Sequence, residues 1–230
     1  MLPSVAPTSP DNCLTRNEWI CGKYYDTRRT ELTDALFQHL GIVLASVALG
    51  LVIAIPLALL ARRYRKLEGL IVGTTTAIYT IPSLALFSLM VPFTGLGLRT
   101  VLIGLGLYSL TILVRGILDG FNTVPSDVRE SARGMGYGAR RMLWRVDIPL
   151  ALPAIMAALR VATVSTVALT TVGSILDYGG LGDLLISDLT FKAQVLATST
   201  LCIALAVTLD LLLVGTQRLL TPWTRAGAAS

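Results

Sequence analysis

Long unbroken apolar runs alternate along this chain with short polar links. Five of the runs, about residues 40–61, 70–91, 98–117, 154–176 and 193–213, are long enough to cross a hydrocarbon core, which takes roughly 20 residues of helix. Inside them apolar residues follow one another without the polar alternation of a barrel strand. The pattern therefore predicts an all-α integral membrane protein with about five transmembrane helices. One sizeable polar link, residues 121–150, joins the third run to the fourth. DYGGLGDLLISDLTFK, after the fourth run, is too polar and too short to span. It predicts a turn and a short interfacial or re-entrant helix.

Composition agrees with the pattern: 53% of the 230 residues are hydrophobic and 14% charged, whereas a soluble domain carries about a quarter charged residues. The organisation read from this is an extension over 1–33, a transmembrane domain over 34–220 and a tail over 221–230. The first 33 residues hold Pro3, Pro7 and Pro10 and lack the apolar centre of a secretory signal, so no cleaved leader is expected. No internal repeat of the kind found in secondary transporters is visible. Five helices of this size need partners to enclose a solute path.

Basic residues set the orientation. Arg62, Arg63, Arg65 and Lys66 follow the first run; Arg129, Arg133, Arg140, Arg141 and Arg145 follow the third; Arg218 and Arg225 follow the fifth. The other two links offer Arg99 and Lys192. Since cytoplasmic loops accumulate Lys and Arg, the chain is expected N-out and C-in. Arg16, Lys23, Arg28 and Arg29 then lie outside, in the company of Asp11, Glu18, Asp26, Glu31 and Asp34. The net charge of +5 is accounted for by loops held against anionic headgroups; nothing points to nucleic acid.

Candidate chemistry is sparse. His39 has no nucleophile and acid beside it in the pattern, no set of metal ligands is present, and there is no phosphate-binding Gly-x-x-x-x-Gly-Lys-Ser/Thr. Cys202 reads as a small core residue. Cys13 and Cys21 lie in the outer extension, where they are either disulfide-bonded or two free thiols. Arg115 and Asp119 stand four apart and can pair; Arg160 and Asp210 reach headgroups or each other.

The stretch ESARGMGYGARRMLWRVDIP, 130–149, predicts helix, glycine turn, helix at the cytoplasmic face. Ser126 is placed as N-cap of the first helix. Met142 and Val146 form an apolar stripe on the second, which Pro149 and Pro153 end. An interfacial hairpin with snorkelling arginines would have this shape, and so would a docking element.

The spacing resembles the cytoplasmic signature of ABC importer permease subunits: Glu-Ala-Ala, three residues, Gly, nine residues, Ile-x-Leu-Pro. Glu130, Ser131 and Ala132 take the first places, Gly136 the glycine, and Val146, Ile148 and Pro149 the last places, with Ser131, Val146 and Ile148 as departures. YTIPSLALFSLMVPFTGLG, ARGMGYGARRMLWRVDIPLALPAIMAALR and GGLGDLL extend the resemblance to permeases for glycine betaine, carnitine and choline. It covers roughly 40–213 but not the extension. Departures at Tyr79, Ile112, Gly116, Asp177 and Tyr178 lie on the expected translocation path.

The resemblance implies a type I importer permease in a bacterial-type plasma membrane. Its partners are a second permease subunit, two ATPase subunits that bind ATP and magnesium, and an extracytoplasmic solute-binding protein. The chain itself is then non-catalytic and without a cofactor. Glu130, Ser131, Ala132, Gly134, Gly136, Val146, Ile148 and Pro149 form the ATPase-coupling set. Tyr79, Pro82 and Ser83 are a pathway or gate element or a packing kink; Tyr108 offers a ring to a quaternary ammonium or is simply packed. Gly179, Gly180 and Gly182 predict a tight outer turn.

Overall fold

The computed structural model describes residues 12–223. The expectation of no leader falls partly, and Arg225 wholly, outside the described residues. Helices α1 (Gly22–Thr27), α2 (Arg29–Arg63), α3 (Arg65–Thr80), α4 (Ser83–Thr94), α5 (Leu98–Asn122), α6 (Ser126–Gly134), α7 (Ala139–Met142), α8 (Ile148–Thr170), α9 (Leu181–Ser187) and α10 (Lys192–Leu220) follow in order, and no strand occurs among the described residues. A π turn, Leu143–Asp147, joins α7 to α8, and a 3-10 turn, Thr171–Leu176, follows α8. The stretch from Ala139 to Leu176 is long and apolar enough to span, as are α2, α5 and α10.

The bundle is built on α2, α5 and α8. Ala54, Ala58 and Ala61 of α2, Leu113, Val114 and Ile117 of α5, and Ala151 and Ala162 of α8 share its largest apolar cluster. Apolar burial drives little between helices already in lipid, so close contact between small residues does the work. A Cβ at Gly50 of α2 would fall 2.0 Å from Ser109 Oγ of α5, and one at Gly116 would fall 2.0 Å from Ala158 Cβ of α8. Gly120 meets Ala151 in the same way. Gly116 therefore packs at close range on α8, and Ile112 lies half-buried against the same apolar cluster.

The second apolar run is not one kinked helix. α3 and α4 meet at an angle of 101° across Ile81 and Pro82. Pro82 has no N–H, and its ring forces Ile81 out of the helical region, to φ −67°, ψ 128°. The Ile81 carbonyl left open accepts a hydrogen bond from the Tyr108 hydroxyl of α5. At Pro149 and Pro153 the outcome is the reverse. The helical path runs on through both into α8, so neither proline ends it. The wider π turn immediately before Pro149 makes room where the ring would meet the preceding turn.

Two further expectations change. Ser126 is the first residue of α6, the N-cap being Pro125. Arg115 donates to Thr76 Oγ1 at 2.7 Å, tying α5 to α3 instead of pairing with Asp119.

After α8 the chain makes a compact turn against the first span. Asp177 takes the left-handed conformation, and Gly180 lies at φ +57°. A Cβ on Gly179 would sit 2.5 Å from Ser174 N, one on Gly180 2.7 Å from His39 N, and one on Gly182 2.4 Å from Thr171 O. Gly182→Ala, with ordinary dihedrals but backbone in the way, is expected to cost about 1–3 kcal/mol, read as a lower melting temperature of the detergent-solubilised protein. Gly215→Ala, where nothing lies within 4 Å, is the control expected to melt no lower.

Candidate functional site

The polar link forms a helical hairpin at the end of the bundle where α2 and α5 finish. α6 ends in a Schellman motif: Tyr137 N–H donates to Ala132 O at 3.0 Å and Gly136 N–H to Arg133 O at 2.9 Å. Gly136 occupies the left-handed position at φ +81°, the one place in the motif that favours glycine. Gly134, Gly136 and Gly138 have nothing within 4 Å of an added Cβ, so the turn is open on the side away from the chain. Glu130, Ser131, Gly134 and Gly136 are exposed, and Val146, Ile148 and Pro149 half-buried.

α6 itself places two of these residues. Ala132 is buried at 2% exposure, so its small size serves packing of α6 on its own chain, not the approach of a partner. Asp127, not Glu130, is the acid in the first turn of α6, leaving the Glu130 carboxylate exposed and a turn further along.

Beneath the hairpin lies a polar cluster that the spacing did not reveal. Asp147, 1% exposed, accepts from Arg129 Nε at 2.7 Å through one oxygen and from Arg62 through the other. Arg129 also donates to Phe121 O at 2.6 Å, and the Arg62 guanidinium stacks on the Phe121 ring at 4.4 Å. An adjoining cleft of about 550 Å³ is lined by Arg62, Arg63, Arg133, Tyr137 and Arg140 over Leu59 and Met142. Arg141 stacks on Tyr137 at 4.3 Å. The hairpin thus presents a basic rim around an open glycine turn.

The helix break gathers the other candidates. Tyr108 is 5% exposed with its hydroxyl on Ile81, and its ring meets Tyr79 edge-on at 5.7 Å. Tyr79 is 44% exposed. The structure therefore separates the two tyrosines: Tyr108 is packed, and Tyr79 is exposed. Pro82 is exposed and Ser83 half-buried at the same break. Non-helical backbone at membrane depth is tolerated where protein or a water-filled path covers it, not against lipid.

At the opposite end of the bundle, His39 is fully buried. Its Nδ1 lies 3.2 Å from Gly179 O and its Nε2 3.0 Å from Val167 O, so one ring bridges α2, α8 and the glycine turn. Gly179 N–H in turn donates to Asp183 Oδ1 at 2.8 Å. Burial pushes the Asp183 carboxyl above its usual range, and the Gly179 and Gly180 amides pull it back. The sequence offered a signal in retrospect: a lone imidazole at the edge of an apolar run must find polar partners.

The N-terminal residues dock on this same end. Cys13 and Cys21 are disulfide-bonded, with Cα atoms 5.6 Å apart. Within the loop they close, Asn17 donates to Thr190 O at 2.9 Å and accepts from Lys192 N–H at 2.8 Å, so it caps α10 from far along the chain. The Tyr24 hydroxyl reaches Gln194 Oε1 at 3.3 Å, and Tyr24 stacks edge-on with Phe191. Deeper in the bundle Arg160 of α8 and Asp210 of α10 form a two-pronged ion pair at 2.7 and 2.8 Å.

Comparisons with known proteins agree with this architecture. Residues 46–226 match the family described as binding-protein-dependent transport system inner membrane component. The chain is 33% identical over 204 residues to the glycine betaine/carnitine/choline transport system permease protein OpuCD of Bacillus subtilis, covering 87% of this chain and 89% of the relative. It is 34% identical over 198 residues to the osmoprotectant import permease protein OsmW of Salmonella typhimurium, covering 83% and 92%. Among solved structures, an amino acid ABC transporter with histidines superposes with TM-score 0.74 at 17% identity, covering 86% of this chain and 98% of that one. An inward-facing MetNI methionine ABC transporter superposes with TM-score 0.70 at 22% identity, covering 82% and 94%. With its multi-pass bundle, its hairpin and this match over most of its length, the chain belongs to the inner-membrane permease components of binding-protein-dependent ABC transport systems.

Proposed function

We propose that this permease subunit imports a small quaternary-amine osmoprotectant, such as glycine betaine, choline, carnitine or proline betaine, with its N-terminus outside the cell and its hairpin in the cytoplasm. Two copies, or this chain and a paralogue, enclose the path. Two ATPase subunits bind and hydrolyse ATP with magnesium, and an extracytoplasmic solute-binding protein delivers the solute. The chain itself is non-catalytic and carries no cofactor. The observation that bears most weight is the hairpin: a Schellman-ended helix with Gly134 and Gly136 open to an incoming surface. Closure of the ATPase dimer on ATP moves the hairpin, and α5 and α8, which it joins, rearrange to admit solute; hydrolysis resets them.

The solute reading is supported by the named relatives and by Tyr79. Its open ring, braced by Tyr108, stands beside the helix break, and a quaternary ammonium against a tyrosine face gains about 0.5–2 kcal/mol. The fragment Asp177 and Tyr178, together with Tyr79 itself, departs from the quaternary-amine pattern. That departure favours, as a second reading, another small solute such as an amino acid.

Gly134 is helical, exposed and unobstructed, with no special dihedral to protect. Gly134→Trp is therefore expected to insert normally yet lose both copurification with the ATPase and uptake in proteoliposomes; normal uptake would sink the coupling assignment. For the pathway, Tyr79→Leu is expected to raise the KM for a quaternary amine about threefold to tenfold while Tyr79→Phe stays near wild type. Uptake of betaine, choline, carnitine and proline by the reconstituted complex decides between the two solute readings.

A further inference from the structure

We infer that Asp147 is the positioning residue that joins the coupling hairpin to the membrane-spanning helices, so that displacement of α6 carries the ends of α2 and α5 with it. This rests on the hairpin being the ATPase-coupling element. In the signature spacing Asp147 occupies the unspecified place between Val146 and Ile148, so the motif gives it no role.

The geometry supplies one. Asp147, buried at 1% exposure, sits on the π turn before α8. Its two oxygens bind two guanidinium groups from different elements, Arg129 of α6 and Arg62 at the end of α2. Both arginines then converge on one residue at the end of α5, Arg129 by donating to Phe121 O and Arg62 by stacking on the Phe121 ring. The contacts close a circuit through α2, α5, α6 and the entry to α8.

α6 has little else to hold it. Ala132 is its one buried residue, and a single methyl cannot transmit a sideways or pulling load. Arg129 can, because its planar fork engages a carboxylate and a carbonyl in fixed directions. Asp147 is what both forks share. Removing it leaves α6 and α2 each facing a positive charge across the gap, so the two parts lose their common anchor while the exposed glycine turn, the docking surface, is untouched.

The test uses the complete complex in proteoliposomes, with ATP hydrolysis and solute uptake measured in parallel. Asp147→Asn is expected to keep the ATPase bound and hydrolysing, while uptake per ATP falls about tenfold, within the usual range of coupling between sites. Arg129→Gln is expected to shift the same ratio, and the double variant to be no worse than the lower single, as for residues acting through one joint. If Asp147→Asn does not accumulate in the membrane, Arg129→Gln decides alone, because it leaves Asp147 paired with Arg62. Wild-type uptake per ATP in the deciding variant overturns the inference, as does a loss in which hydrolysis and uptake fall together at constant ratio. Gly134→Trp separates the layers: if it transports normally, the coupling reading itself has failed; if it does not and the Asp147 ratio is unchanged, only the joint has.

Discussion

A backbone carbonyl released inside a bilayer has no water to turn to, and leaving it unmet costs several kcal/mol. This bundle departs from regular helix at several points, and at some of them a side chain from another element takes up the released oxygen. Tyr108 meets Ile81 O at the break between α3 and α4. The His39 ring lies between Val167 O, near the end of α8, and Gly179 O just beyond, and can donate to one of them. Arg129 meets Phe121 O at the end of α5. The irregularities are therefore also the places where helices are fastened together, which is why the candidate functional residues and the structural ties coincide.

Between these ties, packing is by small residues. Gly50, Gly116 and Gly120 let α2, α5 and α8 approach until backbone and Cβ atoms touch, while α10 buries Ala193, Gln194, Ala197 and Thr198 near its start and packs Leu205, Ala206 and Leu209 against Val43, Val47 and Val167 further along. It is also held by polar contacts at two levels, Asn17 and Tyr24 near its start and Arg160 on Asp210 further along. A three-helix centre in close backbone contact thus carries α10 on its flank, joined to it by both apolar packing and polar ties.

The spans and the hairpin were legible because they depend on local pattern: apolar length for the one, glycine spacing and helix propensity for the other. The limits were physical too. Apolar length could not tell a kink from a break at Pro82, because the break depends on a hydroxyl 27 residues away in α5. Pro149 looked like a stop because the π turn that accommodates it has no distinctive composition, and Pro153 because α8 simply continues through it. α2 begins at Arg29, well before the apolar run that revealed it, since its first turns carry mixed residues that pack only on segments formed later in the chain. Asp147 was invisible for the same reason: its partners lie 18 and 85 residues away, and a lone acid in a basic link reads as a solvated charge.

The cap on α10 has a consequence in time. A chain is made from its N-terminus, yet the groups that Asn17 binds, Thr190 O and Lys192 N–H, are separated from it by 173 and 175 residues. Cys21 and Tyr24 likewise find their apolar neighbours in Phe191, Ala193 and Ala197. The loop that carries Asn17 must therefore wait, uncovered, until α10 arrives. Seating of that loop is a record that every intervening span has been threaded: it closes the bundle and does not begin it.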